Sequence, residues 1–421
     1  MSPSSRTALA ARAGLVTAGL SRRLGRGDGT VIGGRISLLV DPHALAHLGA
    51  GRWISLVSGT NGKTTTTRLL TTALATAGPV VTNPQGSNLP PGLVAGLSRS
   101  KAGTPAALEV DEAWLGAVAE SLHPATITLL NLTRDQLDRV AEVRRLAARW
   151  RFVIEAHPET HIVANGDDPL VAWAAMAAPS DHVTWVSAGQ PWTDDAAGCP
   201  SCEGRISWDT EVWSCGTCDL RRPEPSVVLD GDELVDPAGG RHAIALSLPG
   251  RANRANAAMA AATAVRRGID FDVALAAMAT TTAVDGRYRE VTVGHSRARL
   301  LLAKNPAGWV EALDMLAPAP APVVVVINSR IADGRDPSWL WDVPFERLVG
   351  RRVASSGERS RDLAVRLHYA GVDYQRIPDP IDGIAALGPG PVDVVANYTA
   401  LRELDGRLGA TATAVDGTPR G

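Results

Sequence analysis

The sequence predicts an α/β protein: a central domain on a parallel sheet, a small four-cysteine insertion within it, and a Rossmann-like α/β domain towards the C-terminus. Three observations predict this. Short apolar runs alternate with Ala/Leu-rich helical stretches, the rhythm of βαβ units that cover a parallel sheet on both faces. All four cysteines fall between positions 199 and 218 as two C-x2-C pairs. The chain has 421 residues and is 45% apolar, enough to bury more than one core. With 20% charged residues and a net charge of −2, it is neither an acidic disordered chain nor a broadly basic nucleic-acid binder.

Residues 2–26 carry Arg, Ser and Ala but no acid. Arg12 interrupts the apolar stretch and residues 14–20 are short for a signal-peptide core. Residues 1–40 therefore read as an N-terminal helical segment facing the surface or a partner, with processing or membrane-surface contact as the alternative. Residues 35–40 (RISLLV) and 53–58 (WISLVS) read as short buried strands, the second running into a glycine loop. Strands at 126–130 (TITLL) and 161–164 (HIVA) alternate with helices. Near residue 198 the pattern shifts to Cys, Trp and turn residues, then to polar β-like sequence up to residue 248; helical alanines return at 256–267. This is how an insertion, residues 195–223, would look in a domain spanning 41–290. A second unit, 291–410, draws strands from 299–303, 323–327, 352–354 and 392–396 and a helix from 362–369. Residues 411–421 read as a tail. No apolar run approaches the roughly 18–20 residues of a membrane span.

The sharpest local signal is Gly59-Thr60-Asn61-Gly62-Lys63-Thr64-Thr65, after a strand and before a helix. Glycines let backbone N–H groups curl around phosphate oxygens, the helix N-terminus adds positive potential, Lys63 offsets β/γ-phosphate charge, and Thr64 or Thr65 can hold Mg2+. Val57 stands where the eight-residue phosphate loop has glycine, so this is a shorter variant; a plain turn is the alternative. Lys63 is one of only three lysines, with Lys101 and Lys304. Downstream, Glu109, Asp111 and Glu112 end an apolar run, where acids can coordinate the Mg2+ of ATP; Glu109 is the preferred ligand, and an acidic helix start is the alternative. Cys199, Cys202, Cys215 and Cys218, with twelve residues between the pairs, suit a closed tetrahedral Zn2+ site of structural role.

GTNGKTTT (59–66), LEVDEA (108–113), NLTRDQLDR (131–139), NGDDP (165–169) and PGRANRAN (249–256) together resemble the ATP-binding domain of the Mur ligases, which join an amine to a carboxylate through an acyl phosphate. The chain departs from amino-acid-adding members at Gln136 and Arg251, where those enzymes usually carry histidine at or near the position. It also has no lysine between Lys101 and Lys304 to bridge a second Mg2+. With LLLAKNPAGWVEAL (300–313), INSRIADGRDPSWLWD (327–342) and ANYTAL (396–401), the whole instead resembles the MurT family, Mur-ligase-like subunits of lipid II isoglutaminyl synthase.

That resemblance implies ATP-dependent amidation of the D-glutamate α-carboxylate in the lipid II stem peptide, with ammonia from a GatD-like glutaminase subunit. The work would be done in the cytoplasm at the inner face of the bacterial membrane. It also implies that Asn253 and Asn256 address adenine or nearby nucleotide groups, that Arg287 addresses phosphates, and that Lys304 closes on phosphate or substrate. MurT-like subunits lend a carboxylate to the glutaminase site. The candidates here are Asp333, Asp336 and Asp342, with Asp336 preferred and Asp342 second; Trp339 and Trp341 would anchor the interface, and a turn-capping Asp336 is the alternative. The competing functions are a free-standing Mur or folylpolyglutamate-type ligase and a nucleotide-gated scaffold.

Overall fold

A computed structural model describes residues 5–24, 29–83, 86–134, 143–210, 212–281 and 288–415. The chain divides into two compact units, the first of residues 1–133, 141–247 and 252–282, the second of residues 134–140, 248–251 and 283–421.

The first unit opens with three helices, α1 (Ser5–Arg23), α2 (Thr30–Val40) and α3 (Ala44–Gly49). The run RISLLV, expected as a strand, is the second half of α2. Its β-branched residues suggested extended chain, but Gly33, Gly34 and Ser37 recur at helical spacing and line the buried face. A Cβ on Gly33 would stand 2.6 Å from the Gly14 carbonyl oxygen and one on Gly34 1.8 Å from that of Pro91, so the helices pack backbone to backbone. Thr7, Asp41 and His47 tie α1 to α3, with Thr7 Oγ1 2.7 Å from Asp41 Oδ2 and His47 Nδ1 2.9 Å from the same oxygen.

Next come β1 (Ile54–Ser58), α4 (Lys63–Leu74), α5 (Pro90–Leu97), β2 (Ala106–Glu109), α6 (Leu115–Leu122), β3 (Thr126–Leu129), α7 (Val143–Ala156), β4 (His161–Asn165), α8 (Pro169–Ala175) and β5 (Val183–Ser187). A hairpin, β6 (Ile206–Asp209) and β7 (Val212–Cys215), is followed by β8 (Val227–Asp230), β9 (Glu233–Val235), β10 (Arg241–Ala243), α9 (Arg251–Val265) and α10 (Phe271–Met278). The main sheet runs β10-β9-β8-β5-β4-β3-β1-β2, parallel from β8 to β2. The β-like stretch after the cysteines therefore rejoins this sheet, and only β6–β7 stands apart. Strand residues Leu56, Leu108, Ile127 and Ile162 form one core with Leu93, Val118 and Trp150 from the helices. Because β2 and β3 flank β1 on opposite sides, the chain reverses direction across the sheet at the carboxyl end of β1, the place where open α/β sheets bind ligands.

The second unit holds β11 (Tyr288–Val293), β12 (Ser296–Leu302), α11 (Pro306–Asp314), β13 (Val323–Val326), β14 (Val353–Ser356), α12 (Ser360–Tyr369), β15 (Tyr374–Arg376), α13 (Pro380–Ala386), β16 (Gly390–Ala396) and α14 (Tyr398–Val415). Its sheet order is β11-β12-β16-β13-β14-β15, parallel except for the β11–β12 hairpin. Trp309, Phe345 and Leu363 fill one face and Ile384, Leu401 and Leu404 the other, as a doubly covered sheet requires. Two helices here begin with an Asx-Pro pair: Asn305 caps α11 through the Gly308 N–H and Asp379 caps α13 through those of Ile381 and Asp382.

Candidate active site

The loop between β1 and α4 needs glycine at both ends. Gly59 has φ 149° and Gly62 φ 85°, and a Cβ on Gly59 would lie 2.8 Å from Leu130 Cβ. The loop is clamped from the segment after β3. Asn131 accepts the Asn61 N–H at 2.9 Å and donates to Asn61 O at 3.1 Å. Thr60 N–H bonds Asn131 O at 2.9 Å, and Thr60 Oγ1 donates to Thr133 O at 3.1 Å. Asn256 closes the other side, its Oδ1 accepting from Thr66 Oγ1 at 3.1 Å and lying 2.4 Å from where a Gly62 Cβ would be. Asn253, nearer the start of α9, is buried.

Lys63, the first residue of α4, is buried. Its Nζ donates to Gly59 O at 2.5 Å, Thr60 O at 3.1 Å and Glu112 Oε2 at 3.0 Å. Burial pushes the Glu112 carboxyl pKa up, against the pull of Lys63. Glu112 was legible only as one of three acids; its pairing with Lys63 depends on the turn that follows β2.

Glu109 is the last residue of β2 and is buried. Asn83 holds that strand end, accepting the Glu109 N–H at 2.8 Å and donating to Glu109 O at 3.0 Å. A single point beside Gly86 lies 3.6 Å from Thr64 Oγ1 and 3.7 Å from Glu109 Oε2. Both oxygens border Gly86, and oxygen ligands of this kind suit a hard divalent cation such as Mg2+. The structure brings Lys63, Thr64, Glu109, Glu112 and Asn256 to the carboxyl end of β1. Gln136 and Arg287 lie outside the described residues. Arg251 belongs to the second unit and pairs there with Glu311 at 2.5 Å.

The NGDDP motif is scaffolding. Asp168 is fully buried and accepts N–H groups from Leu132 at 2.8 Å, Leu170 at 2.9 Å and Val171 at 3.2 Å, so it caps α8 and holds the segment that clamps the loop. Burial outweighs these bonds and raises its pKa to about 6. Asp167 binds Arg222 at 2.6 Å and the Gly189 N–H at 2.6 Å, fixing the chain as it returns from the hairpin.

The four cysteine sulfurs lie within 4.8 Å of one another, with Cys199–Cys218 at 3.7 Å and Cys202–Cys215 at 3.5 Å. Tetrahedral Zn–S bonds of about 2.3 Å give sulfur–sulfur edges of about 3.8 Å, so the cluster fits Zn2+. The Thr217 and Cys218 N–H groups point at Cys215 Sγ, at 3.3 and 3.4 Å, and lower its pKa to about 6, whereas those of Cys199 and Cys202 are raised. The hairpin docks through buried Trp213, whose Nε1 donates to Gly166 O at 3.0 Å.

In the second unit the three aspartates separate. Asp333 is buried and bonds the Thr399 N–H at 2.8 Å and the Thr399 hydroxyl, so it caps α14. Asp336 is exposed, with Oδ1 accepting the Ser338 N–H at 2.9 Å. Asp342 lies 3.7 Å from Arg134 of the same unit. Trp339, expected as an interface anchor, is 6% exposed and packs against Trp309; its place in a short 3-10 turn points it inward. Trp341 is 55% exposed and stacks near Tyr369. Lys304 Nζ sits 5.2 Å over the Tyr398 ring.

Two families match the chain, the Mur ligase middle domain over residues 57–264 and the MurT ligase C-terminal domain over residues 302–401. Subunit MurT of lipid II isoglutaminyl synthase (glutamine-hydrolyzing) from Streptococcus pneumoniae is 29% identical over 393 residues, covering 85% of each chain. The subunit of the same name from Staphylococcus aureus N315 is 28% identical over 390 residues, covering 84% of this chain and 85% of that one. Among solved structures, a pseudomurein peptide ligase type C from Methanothermus fervidus has a TM-score of 0.66 at 17% identity, covering 83% of this chain and 77% of its own. MurF from Acinetobacter baumannii reaches 0.65 at 16%, covering 89% and 80%; these two share the fold. The chain belongs to the MurT family of Mur-type ligases.

Proposed function

We propose that this chain is the synthase subunit of a lipid II isoglutaminyl synthase, amidating the α-carboxylate of D-glutamate in the lipid II stem peptide with ammonia from a GatD-like glutaminase partner. The observation that carries this reading is the likeness to MurT subunits across 85% of both chains, joined to a complete phosphate loop at the sheet's switch point.

A carboxylate is a poor electrophile. Transfer of the ATP γ-phosphoryl group to one carboxylate oxygen releases ADP and gives an acyl phosphate. Ammonia then attacks the acyl carbon, the C–O bond breaks with its electrons going to phosphate, and the nitrogen loses a proton. The N–H groups of Gly59 to Thr65 cradle phosphate oxygens and Lys63 offsets their charge. Thr64 and Glu109 would hold Mg2+, which supplies charge neutralisation there. Asn253, Asn256 and Arg287 serve the nucleotide. Cys199, Cys202, Cys215 and Cys218 would hold a structural Zn2+, which would tie the hairpin together and take no part in the reaction. Asp336 is the carboxylate offered to the glutaminase, and Trp341 the aromatic anchor beside it. The site of action is the cytoplasmic face of the membrane, where lipid II is presented.

The test is purification with and without the co-expressed glutaminase, followed by mass spectrometry of lipid II. The expected result is replacement of OH by NH2 on the D-glutamate, driven by glutamine only when the partner is present and by added ammonia in either case. Addition of an amino acid without the partner would make the chain a free-standing ligase, and ATP binding with no product a scaffold.

A further inference from the structure

Helix α1 is built inside out. Its buried face is a stripe of small residues, Thr7, Ala10, Gly14 and Ala18, that lets α2 approach closely. Three of its large apolar residues point the other way: Leu9 is 62% exposed, Val16 72% and Leu20 56%. At 100° per residue these three fall on one side, away from the buried stripe, with Arg12 and Arg23 along its edge. Helix α2 repeats the arrangement, with Ile32, Arg35 and Leu39 opposite buried Gly33, Gly34 and Ser37. A helix that only covers a protein core turns its leucines inward, so this one has its hydrophobic payload arranged for another medium.

Charge says which medium. Residues 1–40 contain six arginines and one acid, Asp28, in a chain whose net charge is −2. Helices α1 and α2 hold Arg6, Arg12, Arg22, Arg23 and Arg35 and no acid. A second copy of the same face would bring like charges together. An anionic lipid surface would accept both features, the leucines among the acyl chains and the arginines at the headgroup phosphates.

We infer that the exposed face of α1, with the adjoining outer residues of α2, is a peripheral docking surface for an anionic phospholipid bilayer. No helix among the described residues is long and apolar enough to cross a membrane, so the contact is interfacial. This goes beyond the proposed amidation but rests partly on it, since a lipid-linked substrate makes such a surface useful. The face lies on elements that contribute no residue to the phosphate loop.

The test is sedimentation of the full-length protein, with its glutaminase where that is needed for solubility, on vesicles of phosphatidylglycerol and phosphatidylcholine. The expected result is binding to phosphatidylglycerol vesicles that weakens with salt, and little binding to pure phosphatidylcholine. Val16→Asp with Leu20→Asp should cut binding at least about tenfold, and Arg12→Gln with Arg23→Gln by about tenfold. Thermal melting, and amidation of substrate in detergent micelles, should not change in either pair. No binding to phosphatidylglycerol, or equal binding to both vesicle types, would overturn the inference. So would loss of a dimer or of the glutaminase complex in the Val16/Leu20 variant, which would assign the face to protein. Because amidation in micelles is measured separately, failure here leaves the enzymatic reading standing, and failure there leaves this one.

Discussion

Lys63 carries the densest set of interactions at the phosphate loop. Its ammonium is already held by two loop carbonyls and Glu112, so phosphate oxygens must replace partners and not water. Lys63→Ala should abolish ATP-dependent amidation. A solvated lysine could be removed at little cost, but this one is buried and its loss strands the Glu112 carboxylate, costing roughly 1–3 kcal/mol. Adding Glu112→Gln should recover stability but not turnover, which urea unfolding and an amidation assay would separate. Asp168 makes a second prediction. Its folded pKa of about 6 lies above the ordinary 3.8, so the folded state holds the extra proton and its contribution to stability falls as pH rises through that window. His161 does the reverse. Burial lowers its pKa to about 4 from 6.5, so its contribution rises with pH through nearly the same window. The two slopes oppose. Asp168→Asn should therefore unmask a stability that climbs between about pH 4 and 6.5, and His161→Gln one that falls; unfolding curves across that range check both. At this scale the shape of the glycine loop and the clustering of the cysteines were legible because residue spacing sets both. The Lys63–Glu112 pair and the Asn131 clamp were not, since they depend on how neighbouring strand ends meet across the sheet.

At the scale of elements, strands β1, β3, β4, β12, β13, β14 and β16 were legible because each is a short apolar run in a doubly covered sheet, where no alternation is needed. Helix α2 was misread for the same reason. A six-residue apolar window does not distinguish a buried strand from a helix, and the deciding signal was the Gly33/Gly34/Ser37 spacing outside the leucine run. The edge strand β15, three residues long, is too short to leave a pattern. The β6–β7 hairpin was marked by its cysteines together with tryptophan and turn residues. It buries little besides Trp213, Ile206 and Cys199, so a metal held by the four sulfurs would supply much of its stability. We expect one tightly bound zinc per chain by elemental analysis. Cys202→Ser should release it and expose the hairpin to protease, while ATP affinity changes little because the phosphate loop takes its clamps from Asn131, Thr133 and Asn256. A zinc-free preparation with an equally protected hairpin would refute this.

On the whole-molecule scale, the proposed function couples two reactions. All four cysteines converge on one cluster, so the proposed function assigns them to metal binding and assigns glutamine hydrolysis to the glutaminase partner. A cysteine–histidine pair there gains from a carboxylate that orients the imidazole and stabilises its protonated form. Of the three aspartates in the 333–342 loop, Asp333 is withdrawn by its capping of α14, and Asp342 stands near Arg134. Asp336 remains exposed and is held by one backbone bond from Ser338, with Trp341 exposed nearby in sequence to anchor a partner. Asparagine keeps the oxygen that accepts the Ser338 N–H, so Asp336→Asn preserves the turn while removing the charge. The variant should melt as the parent does, co-purify with the glutaminase and amidate lipid II from added ammonia at the parent rate. Glutamine-driven amidation should fall by on the order of tenfold or more. Equal loss with both nitrogen sources would place Asp336 in the ligase site. No loss with either would leave it a turn residue, and the same assay on Asp342→Asn would then decide whether the second exposed aspartate supplies the charge.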